Sequence, residues 1–329
     1  MHFINKYASI PSGIEYFSLK KTKIFNQYKK KAQEWLESQG FIEFIPPLFD
    51  FIDLFLINTN SFLNGKSFYA EKLFEVKDSN GELLSLRSDI TVMAMKSFLF
   101  QTQMIEKIQY YYIQPVYRDF SKGAGFHREI YQIGVEWIGN YEHRVEKLYQ
   151  TSKELLKIFP FQFTFVVGNS LFMKHFLELY PKEALLEILT AFYFKDKYKL
   201  KEIIKKHDIS RKLADYLLEI PFLVGKKEVL KEWKRILSQK PELLEIVKNT
   251  IHELSENDTN EILFDFSLVR EFDYYTGFII EAYCQNTNKK ILSGGIYDHF
   301  SLQLSHHKVP ACGFAINFSE LINSIEVIE

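Results

Sequence analysis

Apolar positions recur at helical spacing over residues 17–40, where Phe17, Ile24, Tyr28, Ala32 and Leu36 form one stripe and Gly40 supplies a stop. The pattern then changes. "FIEFIPPLFD" alternates apolar and polar residues until two prolines interrupt it, as on an edge or interface strand. "KLFEVKDSNGELLSLRSD" predicts a hairpin around Asn80-Gly81, and "ITVMAMKSFLFQ" a short helix after Asp89. Two longer β-patterned runs follow, "KIQYYYIQPVYRDF" and "REIYQIGVEWIGN", on either side of "SKGAGFH". They predict an antiparallel hairpin. On its second arm Gln132, Gly134 and Glu136 share one face, while Ile133, Val135 and Trp137 share the other. One face is polar around a glycine, as the floor of a pocket would be; the opposite face is core.

Residues 144–158 read as a helix and "FQFTFVVGN" as a strand. From Leu171 to about Asn257 helical runs follow one another with almost no glycine, which predicts a helical insertion over residues 169–258. β character returns at Glu261 and runs through "LVREFDYYTGFIIEAY", "KKILSGGIYDHF" and "VPACGFAINFSEL". The core is therefore expected to be discontinuous, over residues 1–168 and 259–329. Hairpins with helices between them predict an α+β fold with a mainly antiparallel sheet flanked by helices.

Composition narrows the function. The chain has 329 residues, enough for one or two domains. Lys+Arg is 41 against Asp+Glu 42, a net charge of -1, which weighs against a dedicated nucleic-acid binder. Cys284 and Cys312 sit in apolar runs and predict buried free thiols in a reducing cytosol. The N-terminus lacks a signal-peptide pattern, and the apolar segment near it is broken by Pro46, Pro47, Asp50 and Asp53, so no membrane span is expected. His306-His307 has no third ligand at useful spacing, and neither metal nor cofactor is expected.

Four polar clusters carry candidate chemistry. They are Arg87, Asp89 and Thr91; Arg118, Arg128, Gln132 and Glu136; Arg270, Asp273, Tyr274 and Tyr275; and Gly294, Gly295, Tyr297 and Asp298 with Gly313 and Glu320. A carboxylate suits an ammonium group, and arginine suits a carboxylate through paired charge-assisted bonds. A glutamate and a phenol can together bond both nitrogens of an imidazole.

In this order the clusters resemble the catalytic core of class II histidyl-tRNA synthetase, over nearly the whole chain. That family carries L-R-P-E-x-T, an arginine-led hairpin ending in Q-x-G-x-E, L-V-R-G-L-D-Y-Y, G-G-R-Y-D and a final G-x-G-x-E-R. The resemblance implies a class II aminoacyl-tRNA synthetase-like core and a pocket for histidine. Asp89 and Thr91 would meet the α-ammonium, and Gln132 and Arg270 the carboxylate. Glu136 and Tyr275 would face the imidazole, with Tyr297 completing the wall and Tyr274 in the same set.

The departures fall on what the resemblance implies is the nucleotide side. Glu320 and Ile296 stand where the synthetase has arginines, and Asn317 and Glu271 where it has glycines, while Arg118 remains. At about 4 Å and an effective dielectric near 20, exchanging a cation for a carboxylate beside a phosphate turns about 4 kcal/mol of attraction into similar repulsion. The chain also stops soon after the last motif, so no C-terminal anticodon-binding domain is expected. A retained histidine pocket with a degraded nucleotide side resembles the regulatory subunit of ATP phosphoribosyltransferase, as do "PSGIEYF" and "REIYQIGVEWIGN".

That resemblance implies a non-catalytic, cytoplasmic protein of histidine biosynthesis. It would be required by the short catalytic subunit, would join it in a hetero-octamer, and would transmit feedback inhibition by L-histidine. A homodimer would form through the first helix and "FIEFIPPLFD", and tRNA would not be a partner. The alternative is a truncated histidyl-tRNA synthetase or a paralogue that still activates an amino acid.

Overall fold

The computed structural model describes residues 9–57, 73–101, 105–120, 127–254, 258, 261–269 and 274–328. An eight-stranded sheet runs in the order β1-β5-β6-β11-β10-β9-β7-β8. Its strands are β1 (Ile42–Glu43), β5 (Lys107–Tyr117), β6 (Glu129–Gly139), β7 (Phe163–Asn169), β8 (Leu263–Phe264), β9 (Phe278–Cys284), β10 (Lys290–Ile296) and β11 (Ala311–Asn317). The two outermost pairings, β1 with β5 and β7 with β8, are parallel; every pairing between them is antiparallel. This is the expected α+β architecture with a mainly antiparallel sheet.

The first helix, α1 (Leu19–Ser38), starts where the Ser18 hydroxyl accepts from the Lys21 N–H at 3.0 Å. It ends at Gly40, whose φ of +80° is open to glycine at little cost. Its buried stripe of Ile24, Phe25, Tyr28, Ala32 and Leu36 packs on one face of the sheet. On that face lie Ile133, Val135 and Trp137, together with α4 (Arg144–Leu156) and α12 (Phe318–Ile328). Each Ile, Leu, Val or Phe side chain among these contributes about 1.5–3 kcal/mol on removal from water. The other face carries Tyr110 and Tyr112 and is covered by α3 (Thr91–Gln101), Tyr274, Tyr297 and Phe300. The division of β6 into a core face and a polar face thus holds in three dimensions.

One expected strand divides. "FIEFIPPLFD" supplies β1 to the large sheet and β2 (Phe49–Phe51) to a separate three-stranded sheet, with Pro46 and Pro47 at the break. The other strands of the small sheet, β3 (Glu75–Lys77) and β4 (Leu83–Leu86), form the hairpin expected around Asn80-Gly81. There the Asp78 carboxylate accepts from the Asn80 and Glu82 N–H groups, each at 2.8 Å.

Between β7 and β8 the chain is helical: α5 (Ser170–Leu177), α6 (Leu185–Tyr193), α7 (Lys197–Lys206), α8 (Arg211–Glu219), α9 (Leu230–Ile236) and α10 (Pro241–His252). Short α2 (Ile52–Leu56) and α11, a turn-length helix at Phe300–Gln303, lie beside the polar face of the large sheet. Cys284 and Cys312 are buried free thiols, as expected. No helix among the described residues is long and apolar enough to cross a membrane.

Candidate functional site

The polar face of the sheet holds a cavity of about 140 Å³. That is room for about ten water-sized groups, the scale of a free amino acid. Each wall comes from a different segment. Asp89 and Thr91 stand at the start of α3, Gln132 on β6, Tyr274 and Tyr275 before β9, Tyr297 after β10, and Asn317 at the end of β11. Arg118, just past β5, also lines it, as do Tyr112, Lys290 and Ser293.

The Asp89 carboxylate is fixed by its position at the helix start, where Oδ1 accepts from the Thr91 N–H at 2.8 Å. Tyr274 donates to its other oxygen at 3.4 Å. Burial pushes the Asp89 carboxyl up, opposed by the Thr91 N–H and the nearby Arg118 charge. Tyr274 also packs on Tyr275 and Tyr297, with ring centroids 4.7 and 5.5 Å away, so three phenols form one wall.

Glu136 lies one layer beneath the cavity. Thr91 Oγ1–H donates to Oε1 at 2.5 Å, and the Tyr297 hydroxyl donates to Oε2. With 1% of its surface exposed, the carboxylate is sealed by these hydroxyls, and a ligand would have to take over one of their bonds to reach it. Burial pushes the Glu136 carboxyl up to about 8 from 4.5, although both hydroxyls pull it the other way.

Two glycines make this packing possible. Gly313 lies opposite Glu136 in the sheet, and a Cβ there would sit 1.8 Å from Glu136 Oε2. Gly134 lies opposite Tyr112, and a Cβ there would sit 1.9 Å from the ring. These two motif glycines are spaces for neighbouring side chains.

The structure brings Asp89, Thr91, Arg118, Gln132, Tyr274, Tyr275, Tyr297 and Asn317 to one cavity, with Glu136 behind it. Arg270, Glu271 and Asp273 lie outside the described residues. Two predicted residues stand elsewhere. Ile296 turns to the opposite face of the sheet and packs against the main core. Glu320, in the first turn of α12, pairs with Lys289 at 2.8 Å. Asn317 has a structural task as well, because its side-chain oxygen accepts from the Glu320 N–H at 3.0 Å and caps α12.

Two other motif residues hold the frame. Arg87 donates to the carbonyls of Pro115 at 2.7 Å and Pro46 at 2.9 Å, which clamps the divided strand to β5. Asp298 forms a two-bond ion pair with Arg144 of α4, one of the bonds at 3.0 Å. Tyr112 and Lys290 were not singled out by the motifs as cavity residues. Strand register alone points to Tyr112, which pairs across from Gly134, while Lys290 carries no sequence signal beyond its charge; it pairs with Glu281 at 3.2 Å.

The cavity combines a buried carboxylate, a guanidinium, a carboxamide and a wall of phenols, with a second carboxylate behind it. Among the described residues its lining includes no histidine or cysteine. The set is complementary to a zwitterion with a polar ring. The sequence model of the family described as Histidyl-tRNA synthetase matches residues 13–321.

The chain belongs to the histidyl-tRNA synthetase family. Within this family, a protein of Leptospira interrogans named ATP phosphoribosyltransferase regulatory subunit is 28% identical, over 98% of this chain and 95% of its own length. A protein of the same name from Thermoanaerobacter sp. is 28% identical over 94% of this chain and 80% of its own. A histidine–tRNA ligase of Archaeoglobus fulgidus is 24% identical over 92% of this chain and 72% of its own. Among solved structures, an ATP phosphoribosyltransferase regulatory subunit/histidyl-tRNA synthetase from Bacillus halodurans superposes with a TM-score of 0.82 at 20% identity, over 98% of this chain and 84% of its own. That likeness establishes the class II synthetase-like fold with its sheet flanked by helices.

Proposed function

We propose that this member of the family is a regulatory subunit of ATP phosphoribosyltransferase, which holds L-histidine in the cavity and signals it to a short catalytic subunit. One observation carries the reading. Residues from six separate segments meet around a single cavity of amino-acid size, in a chain whose regulatory-subunit relatives match it almost end to end. Asp89, Thr91 and Tyr274 take the ammonium group, and Gln132 with Arg270 the carboxylate. Tyr275 and Tyr297 flank the imidazole, which exchanges one of the hydroxyl bonds on Glu136 for its own.

Chemistry of its own is lost in this reading, because Glu320 takes up the charge of Lys289 one turn beyond the cavity wall, where a synthetase keeps arginine for phosphate. The exposed apolar side chains of this segment support a homodimer: Ile42 on β1, Ile45 after it, and Phe49 and Phe51 on β2. Assembly with the catalytic subunit into a cytoplasmic hetero-octamer, the requirement for this chain in phosphoribosyl transfer and inhibition by histidine complete the proposal.

Calorimetry of the isolated chain against the amino acids tests the pocket; histidine binds and the others do not, and absence of histidine binding refutes the reading. A second reading, an amino-acid-activating enzyme, is favoured by the ligase names among the relatives. Histidine-dependent ATP–pyrophosphate exchange separates the two. Robust exchange establishes the second.

A further inference from the structure

The helical segment presents a ridge that the cavity does not use. α6 and α7 are joined by a tight turn, Phe194 to Asp196, that is pinned from several sides. Lys195 takes a left-handed φ of 49°, and its ammonium donates to Asp265 at 2.8 Å and to the Pro221 carbonyl at 2.5 Å. The Asp196 N–H donates to the Ala191 carbonyl at 2.8 Å, and the Asp196 side chain caps α7 through the Lys199 N–H at 2.9 Å. A non-glycine residue in the left-handed region is strained, and the surrounding bonds hold it there.

What this rigid turn displays is aromatic. Phe194 is 67% exposed and Tyr198 82%, with Tyr193 and Phe222 each at 43%. The Tyr193 and Phe194 rings touch at 5.0 Å between centroids, and Lys197 lies over the Phe222 ring at 5.9 Å. Along α7, Lys197, Lys201 and Lys205 recur every four residues and share one face. They span about 12 Å at the helical rise. None of the three pairs with a carboxylate among the described residues. By contrast Lys199 pairs with Glu202 at 3.0 Å and Lys206 with Glu187 at 2.7 Å.

Exposed aromatics carried on a pinned backbone cost little main-chain ordering when covered, and large aromatics are enriched at interface hot spots. A row of ammonium groups that lack an ion pair among the described residues, two of them lying over aromatic rings, selects for the opposite charge. We infer that this ridge docks a protein partner whose surface is apolar at the centre and acidic along one edge. A protein fits better than a nucleic acid. Three lysines offer a salt-dependence slope of only about 3, against the 6–10 phosphate contacts of dedicated binders. The choice of partner for the experiment rests on the proposed function: it is the short catalytic subunit encoded in the same genome.

Two variants of the full chain separate the contributions, Phe194→Ser with Tyr198→Ser, and Lys197→Glu with Lys201→Glu and Lys205→Glu. All five side chains are exposed, so thermal melts and histidine calorimetry should match the unaltered chain. Sedimentation with the catalytic subunit should show association weakened at least about tenfold in each variant. The salt dependence of association should flatten in the lysine variant. Unaltered association in both variants overturns the inference and leaves the proposed function standing. No association of the unaltered chain overturns both. A fluorescent single-stranded oligonucleotide that binds the unaltered chain but not the lysine variant, with association intact, assigns the ridge to nucleic acid and overturns the inference.

Discussion

Glu136→Gln should make the unliganded protein more stable at neutral and alkaline pH. The carboxyl is buried, and its folded value of about 8 stands well above the ordinary 4.5. A carboxyl raised by folding favours the protonated form in the native state. Its stabilising contribution is therefore complete below 4.5 and is lost as pH climbs through 4.5 toward 8. At pH 7 the loss is roughly 3 kcal/mol, since each tenfold change in proton affinity between the folded and unfolded chain is worth about 1.36 kcal/mol. Glutamine has the shape and neutrality of the protonated acid. It can still accept from Thr91 and meet the Tyr297 oxygen, so it avoids the loss. Urea and thermal melts of both proteins, without histidine, from pH 5 to pH 8.5 provide the assay. The curves should nearly coincide at pH 5 and separate steadily, with the variant melting roughly 5 °C higher by pH 7. Parallel curves, or a variant less stable at every pH, would refute the argument that burial of a charge governs this position. The same variant should bind histidine more weakly, because it cannot supply a carboxylate to an imidazolium.

Three further substitutions test the frame. Gly134→Ala places a methyl group against the Tyr112 ring, where a Cβ has 1.9 Å of separation; overpacking of this kind should cost about 1–3 kcal/mol in a urea titration and lower histidine affinity as the tyrosine shifts. Tyr297→Phe removes the donor on Glu136 Oε2 without changing shape; a loss of about 1–3 kcal/mol in stability is expected, and calorimetry should show weaker histidine binding. Arg87→Lys keeps the charge but not the fork that holds Pro115 and Pro46; the melting temperature should fall by several degrees, while the histidine affinity, read by calorimetry below the melt, should change less than in Tyr297→Phe.

Much of the fold is legible because each element states its own periodicity. The α1 stripe and the two faces of β6 need only the residues within them. What stays hidden depends on neighbours distant in sequence. Alternation in "FIEFIPPLFD" suggests a strand, but it cannot say that the prolines send its halves to different sheets, because that choice is settled by β5 and β4. Tyr112 is one of three consecutive tyrosines in a β-patterned run, and only register sets it across from Gly134. Ile296 belongs to a motif, yet it stands one residue from Gly295 on a strand and so turns to the other face.

Glu136 shows how motif and geometry give different information. Its place in Q-x-G-x-E indicates which residues will meet, and they do meet, because Gly313 leaves space for the carboxylate and Thr91 and Tyr297 close over it. The motif does not indicate that the carboxylate is already satisfied before any ligand arrives. Two hydroxyls hold it in a buried environment where its charge is costly, so the imidazole of the proposed ligand would compete with internal bonds rather than fill an open one. The strength of binding then depends on the difference between those two sets of bonds. Each set includes Glu136, and for that reason the charge state of this one carboxyl links the stability of the unliganded fold to its affinity for the ligand.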